Sequence, residues 1–281
     1  MKNTVATLAQ MKLNGEKITQ VTCYDYSSAK LVDRAGINMI LVGDSLGMTM
    51  QGYKDTLPVT VDEMIVYGRS VVRGVTDTMV IVDMPFLSYQ ASCEQALMNA
   101  GRIMKETGCQ GIKLEGGVRV APQIKAITEA GIPVVGHIGM TPQSVNAFGG
   151  FKVQGKGEDN AKRVLEDALA VQEAGAFAVT LECVPPKLAA LITKKLDIIT
   201  IGIGAGLECD AQVLVMQDML GISTDFTPKF AKKFANIGEM MIDAFKAYDK
   251  EVKEGTYPAV EHMYVKSDCS DEFLAELDKM Y

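Results

Sequence analysis

Four times this chain closes a helical stretch on a glycine and turns at once into a short apolar run: "RAGINMILVG", "ETGCQGIKLEG", "EAGIPVVGHIG" and "EAGAFAVTLEC". Gly36, Gly108, Gly131 and Gly175 stand where a helix ends and the backbone needs a residue tolerant of positive φ. Before these glycines the apolar spacing is helical, as with Ala161, Val164, Leu165, Ala168 and Val171. After them it is continuous and rich in β-branched residues, the pattern of strands covered on both faces. Eight such runs are present, at 20–24, 39–43, 79–83, 111–114, 132–136, 177–181, 198–202 and 213–217. Eight covered parallel strands alternating with helices predict an α/β fold of the closed (β/α)8 type, with an N-terminal helix and a C-terminal helical extension.

No linker or low-complexity tract interrupts the 281 residues. Residues 1–281 are therefore read as a single barrel domain, with a core of about 19–262 and an extension of about 263–281. The connections between the second and third runs and between the fifth and sixth are much longer than the others. Both are expected to form lids, above all the Gly-, Asn- and Lys-rich stretch 141–160.

A net charge of −7, with 48% hydrophobic and 22% charged residues, provides a core and argues against a nucleic-acid partner. The six cysteines form no CxxC pair, the N-terminus carries no signal-type apolar segment, and no apolar run is long enough to span a membrane. These features predict a cytoplasmic protein acting on small molecules.

The strand exits carry the chemistry. In order they read "LVGDS", "VIVDMP", "IKLEGG", "VVGHIG", "VTLEC" and "IGIGAG", and the first five bring Asp44, Asp83, Glu115 with Lys113, His137 and Glu182. In a parallel barrel all such exits open on one face, so residues distant in sequence converge there. Singly each has an ordinary alternative. Asp44, Ser45 or Asp83 can cap a helix, His137 can be a satisfied core histidine, and Lys113 can simply neutralise Glu115.

Together, Asp44 and Asp83 with Glu115 nearby make an all-oxygen cluster suited to Mg2+. An ion there would chelate a 2-oxo acid and stabilise its enolate, with Lys113 neutralising the substrate carboxylate. Glu182, flanked by Leu181 and Cys183, would be the base that takes the C3 proton. The glycines of "GIGAG" (Gly202, Gly204, Gly206) fit either a phosphate cradle or tight backbone packing.

The motifs "VGDSLGM", "DMPF", "IKLEGG", "GHIGMTPQSVNAFGGFKVQGK", "LECVP" and "IGIGAG", in this order, closely resemble the ketopantoate hydroxymethyltransferase family. The resemblance runs from about Thr19 to about His262. It implies a barrel of the phosphoenolpyruvate/pyruvate type and transfer of a hydroxymethyl group from 5,10-methylenetetrahydrofolate to 3-methyl-2-oxobutanoate, giving ketopantoate for pantothenate and coenzyme A. It further implies Mg2+ at Asp44 and Asp83, with Glu115 reaching the ion through water, and a substrate contacted by Asp44, Ser45, Asp83, Lys113 and His137. In that scheme Ser45 and Lys113 hold the carboxylate, His137 meets the new hydroxyl and Glu182 is the base. The resemblance also implies a homo-oligomer larger than a dimer, up to a decamer, and the apolar residues Val5, Leu8, Met11 and Leu13 could cover the barrel bottom or a neighbour.

Three positions depart from the family pattern: Gln217 stands where His is common, Ala211 where Gly is, and Phe151 where Tyr is. The tail "VKSDCSDEFLAELDKMY" is expected to exceed the usual family length and to form an amphipathic helix. A Mg2+-dependent C–C lyase or phosphonomutase on the same barrel is the alternative enzyme. The absence of Cys from the lid "SVNAFGGFKVQGK" counts against it. A binding barrel without catalysis would need no base opposite a metal cluster.

Overall fold

The computed structural model describes residues 2–223, 227–266 and 268–281. Eight parallel strands close into a barrel in sequence order: β1 (Ile18–Thr22), β2 (Met39–Val42), β3 (Met79–Asp83), β4 (Gly111–Glu115), β5 (Val134–Gly139), β6 (Ala178–Glu182), β7 (Ile199–Ile203) and β8 (Ala211–Leu214). Every neighbouring pair is parallel, and β8 returns to β1.

The strands are apolar throughout because each has two faces to bury. Inward, Met39, Leu41, Met79, Ile81, Val135, Ile199, Ile201 and Val213 fill the barrel. Outward, Val80, Val82, Ile112, Leu114, Val179 and Leu181 meet helix residues such as Ile103, Ile124, Val171 and Ile192. A fully buried aliphatic side chain of this kind contributes roughly 1.5–3 kcal/mol. The four punctuating glycines all take positive φ, and Gly108 itself is the left-handed cap of helix Cys93–Thr107.

Three strands, β1, β5 and β8, differ from the apolar runs by two residues or more at each end. β1 ends at Thr22: Cys23 gives one last N–H to the Leu41 carbonyl of β2, and Tyr24, although buried, belongs to the exit loop. β8 ends at Leu214, and Met216 with Gln217 begins a short helix, Met216–Met219. β5 starts only after Pro133, which lacks an N–H for the ladder, and continues to Gly139, so His137 lies within the strand.

The α/β alternation is also incomplete. Helices Tyr26–Arg34, Val61–Gly74, Cys93–Thr107, Ala121–Glu129, Glu158–Glu173 and Pro186–Lys195 follow the first six strands, whereas residues 204–210 join β7 to β8 without a helix. The glycines of "GIGAG" serve this passage. A Cβ on Gly202 would lie 3.0 Å from Cys209 Sγ, one on Gly204 3.0 Å from Phe230, and one on Gly206 2.8 Å from Pro186. Of the two readings, tight packing is the one these contacts match.

The N-terminal helix Val5–Leu13 closes the barrel bottom. Leu8 is fully buried among the inward residues, and Lys12 donates to the carbonyls of Leu196 and Ile198 and pairs with Asp210 at 2.9 Å. Leu13 takes no part and is 79% exposed. Beyond the barrel come helices Ile237–Glu254 and Asp271–Met280, the second capped by Ser270. Among the described residues no helix is long and apolar enough to cross a membrane.

Candidate active site

Strand register builds the site. Asp83 ends β3 directly beside Lys113 on β4, and Glu115 ends β4 directly beside His137 on β5. Lys113 Nζ consequently lies 2.6 Å from Asp83 Oδ1 and 3.4 Å from His137 Nδ1. His137 stands between two acids, with Nδ1 3.4 Å from Glu115 Oε1 and Nε2 3.2 Å from Glu182 Oε2. Glu182 ends β6, where its carbonyl accepts the N–H of Met140. Its sequence neighbour Leu181 points away into the outer layer, so His137 rather than an apolar wall faces the Glu182 carboxylate.

Asp44 follows β2 and is buried. Its backbone N–H donates to Asp83 Oδ2 at 3.0 Å, which folds the β2 exit down onto the end of β3. Gly43 permits this approach, since a Cβ there would lie 2.9 Å from Ser45 Oγ and 3.4 Å from Asp83 Oδ2. Ser45 opens the short helix Leu46–Thr49 but makes no side-chain cap. Its hydroxyl instead lies 2.8 Å from Tyr24 Oη. The capping alternative for Ser45 is thereby set aside.

The charges are strongly coupled. Burial pushes the Asp44 carboxyl well above the ordinary aspartate range, and Asp83 and Glu115 push it the same way against Lys113. Burial raises Asp83 too, although Lys113 opposes it. For Lys113 burial disfavours the charge, but Asp83, Glu115 and Asp44 outweigh it and hold the ammonium above the usual lysine range. Burial and Lys113 both oppose protonation of His137; the neighbouring Glu115 and Glu182 carboxylates prevail and lift it to about 9.

Among the described residues no three His, Cys, Asp or Glu side chains are already gathered as metal ligands. The donor set nevertheless fits a hard divalent ion. Glu115 Oε1 is buried without a hydrogen-bond partner, and Asp44, Asp83 and Glu115 crowd negative charge around one lysine. Mg2+ is commonly held by one or two carboxylates, with water completing the shell.

Three side chains that the strand-exit pattern did not single out belong to this cluster. Gln143, in the turn Pro142–Ser144 after β5, touches both Asp44 and Glu115. Tyr89 receives the Glu115 N–H, and Tyr24 holds Ser45. Gln143 and Tyr89 come from loops without strand periodicity. Tyr24 lies at a strand exit, and inspection of the first exit would have found it. The three departures from the family pattern stand apart from the acids: Ala211 is buried in β8, Gln217 approaches Met50 Sδ at 3.6 Å, and Phe151 is exposed on the loop after helix Val145–Phe148.

The model of the family described as ketopantoate hydroxymethyltransferase matches residues 2–260. A 3-methyl-2-oxobutanoate hydroxymethyltransferase of Clostridium novyi (strain NT) is 60% identical over 281 residues, all of both chains. The tail expected to exceed the family length is therefore shared with that relative. A protein of the same name from Enterococcus faecalis (strain ATCC 700802 / V583) is 58% identical over 95% of this chain and 98% of its own. Among solved structures, 2,3-dimethylmalate lyase, a member of the PEP mutase/isocitrate lyase superfamily, aligns with a TM-score of 0.60 at 15% identity, covering 100% of this chain and 97% of that one. Phosphonopyruvate hydrolase in complex with oxalate and Mg2+ aligns with a TM-score of 0.60 at 11% identity, covering 99% and 95%. These two likenesses establish the barrel type, and the sequence matches establish the rest: the chain belongs to the ketopantoate hydroxymethyltransferase family, enzymes of hydroxymethyl transfer to 3-methyl-2-oxobutanoate.

Proposed function

We propose that this enzyme deprotonates 3-methyl-2-oxobutanoate at C3 through Glu182 and joins that carbon to a one-carbon unit delivered by 5,10-methylenetetrahydrofolate. The observation that carries the reading is the division of the site. Asp44, Asp83 and Glu115 lie at the exits of β2 to β4, whereas Glu182 lies at the exit of β6, with His137 between the two groups. Asp44 and Asp83 would hold Mg2+ directly and Glu115 through water. When bound, the ion would supply a Lewis acid for the keto and carboxylate oxygens of the substrate and for the enolate charge.

The chain's own groups account for the remainder. Lys113 is a fixed ammonium, and with Ser45 it would receive the substrate carboxylate. His137, charged at neutral pH, keeps Glu182 Oε2 within 3.2 Å of Nε2 and would meet the new hydroxyl. The C3 proton passes to Glu182, C3 bonds to the donor's methylene, both methylene–nitrogen bonds of the donor break, a water supplies the hydroxyl oxygen, and the proton from Glu182 and one from that water go to the two released nitrogens.

The test is deuterium exchange at C3 of 3-methyl-2-oxobutanoate with Mg2+ and no folate. Exchange is the expected result, and its absence from active enzyme would overturn proton abstraction as a separate step.

The same reading carries a place in pantothenate and coenzyme A biosynthesis in the cytoplasm, and a homo-oligomer larger than a dimer. Supporting the oligomer is helix Ile237–Glu254, which exposes Met240, Phe245 and Tyr248 by 60–64% each. A monomer by light scattering at micromolar concentration would contradict it.

A further inference from the structure

Gln143 makes four directed side-chain hydrogen bonds and one from its backbone, all within the acid cluster. Its Nε2 donates to Asp44 Oδ2 at 2.8 Å and to the Met84 carbonyl at 3.0 Å. Its Oε1 accepts from Tyr89 Oη at 2.7 Å and from Gln90 Nε2 at 3.2 Å. Its backbone N–H donates to Glu115 Oε2 at 2.9 Å. Two donors face the amide oxygen and two acceptors face the nitrogen, so the amide has one orientation that satisfies the network.

We infer that Gln143 is a positioning residue that braces Asp44 against Glu115 for the divalent cation. It stands after β5 and reaches back over β4 and β3 to the exit of β2. On each acid it occupies a single oxygen. Glu115 Oε1, the oxygen it leaves, is buried without a hydrogen-bond partner and faces His137 Nδ1 at 3.4 Å. Its chemistry also suits the task. A lysine or arginine in its place would neutralise the cluster and weaken its attraction for a cation, whereas an apolar residue would keep the backbone bond to Glu115 and leave Asp44 Oδ2 buried without its amide donor. A neutral amide orients the acids and preserves their charge.

This inference rests on the Mg2+ reading, so the experiment begins with calorimetric titration of the wild-type protein with Mg2+ alone, then of Gln143→Leu and Gln143→Asn. The shorter amide of Asn keeps the backbone bond to Glu115 and cannot span to Asp44; it serves if the Leu variant fails to fold. Both variants are expected to bind Mg2+ about 10–100-fold more weakly, the effect usual for partners that orient metal ligands. A purely structural role would lower the melting temperature and leave the affinity of the folded protein unchanged. Affinities within about threefold of wild type would overturn the inference. Should wild type itself bind no Mg2+, the metal reading fails. That outcome overturns the brace together with the metal reading, whereas Mg2+ binding by wild type with unchanged affinity in the variants overturns the brace alone.

Discussion

Lys113 Nζ and Asp83 Oδ1 lie 2.6 Å apart inside the barrel mouth, both almost wholly buried, because strand register sets their residues side by side. Removing one partner of a buried pair is costlier than the pair is stabilising, since the remaining charge stays desolvated. Lys113→Met is accordingly expected to destabilise the protein by about 3–5 kcal/mol. Urea unfolding with and without Mg2+ measures this, and a loss below about 1 kcal/mol would mean that the lysine does not offset the buried charge of the acids.

For Glu182, Glu182→Gln keeps size and hydrogen bonding while removing the carboxylate proposed as the base. C3 exchange and product formation should both fall by a similar factor, on the order of 10² or more, with Mg2+ binding retained. Exchange persisting at the wild-type rate while product formation fails would place Glu182 in the transfer step and assign the proton abstraction to another group.

If Asp44 and Asp83 hold Mg2+ directly and Glu115 through water, Asp44→Ala and Asp83→Ala should each abolish Mg2+-dependent turnover, whereas Glu115→Gln should keep partial activity. Assays in EDTA supply the check. Undiminished turnover of Asp83→Ala in EDTA would end the metal reading.

Gly43→Ala tests the packing at the β2 exit. The added methyl would stand 2.9 Å from Ser45 Oγ and 3.4 Å from Asp83 Oδ2, so one or both must move. We expect kcat/KM for the 2-oxo acid to drop by about 10- to 100-fold, the scale of a small misplacement of positioned groups. Steady-state kinetics beside a melting curve would separate this from simple unfolding.

Asp33 offers a stability test away from the site. Burial pushes its carboxyl upward, but the N–H groups of Thr76, Asp77 and Thr78 and the Thr78 hydroxyl outweigh that and hold it below the ordinary value of 3.8. A carboxyl depressed in the folded state stabilises above its unfolded pKa, and the contribution fades as pH falls through the folded one. Asp33→Ala should therefore cost about 1–3 kcal/mol near pH 7 and progressively less below about pH 4, as followed by denaturant midpoints. An equal deficit at both pH values would assign the loss to packing.

Much of this architecture is written in local chemistry. Gly36, Gly108, Gly131 and Gly175 mark helix ends because only a residue without Cβ enters positive φ freely. The runs at 39–43, 79–83 and 111–114 match their strands to within a residue, because a strand buried on both faces has no polar side to blur it. The polar residues at the exits of β2 to β6 were visible for the same reason: each interrupts an apolar run. Boundaries failed where burial outlasts the strand, as at Cys23, Tyr24 and Met216, which are buried beyond the ends of β1 and β8.

The sequence by itself thus determined eight buried parallel strands, their closure, and the identity of the acids, the lysine and the histidine at the mouth. It did so because side-chain periodicity and strand ends are properties of neighbouring residues. Only the tertiary structure decided that Lys113 pairs with Asp83 as well as lying near Glu115, that His137 bridges Glu115 and Glu182, and that Gln143 braces Asp44 against Glu115. Those relations join residues 22–99 positions apart, and what fixes them is the register between strands and the path of a loop over the barrel mouth, which no local pattern encodes.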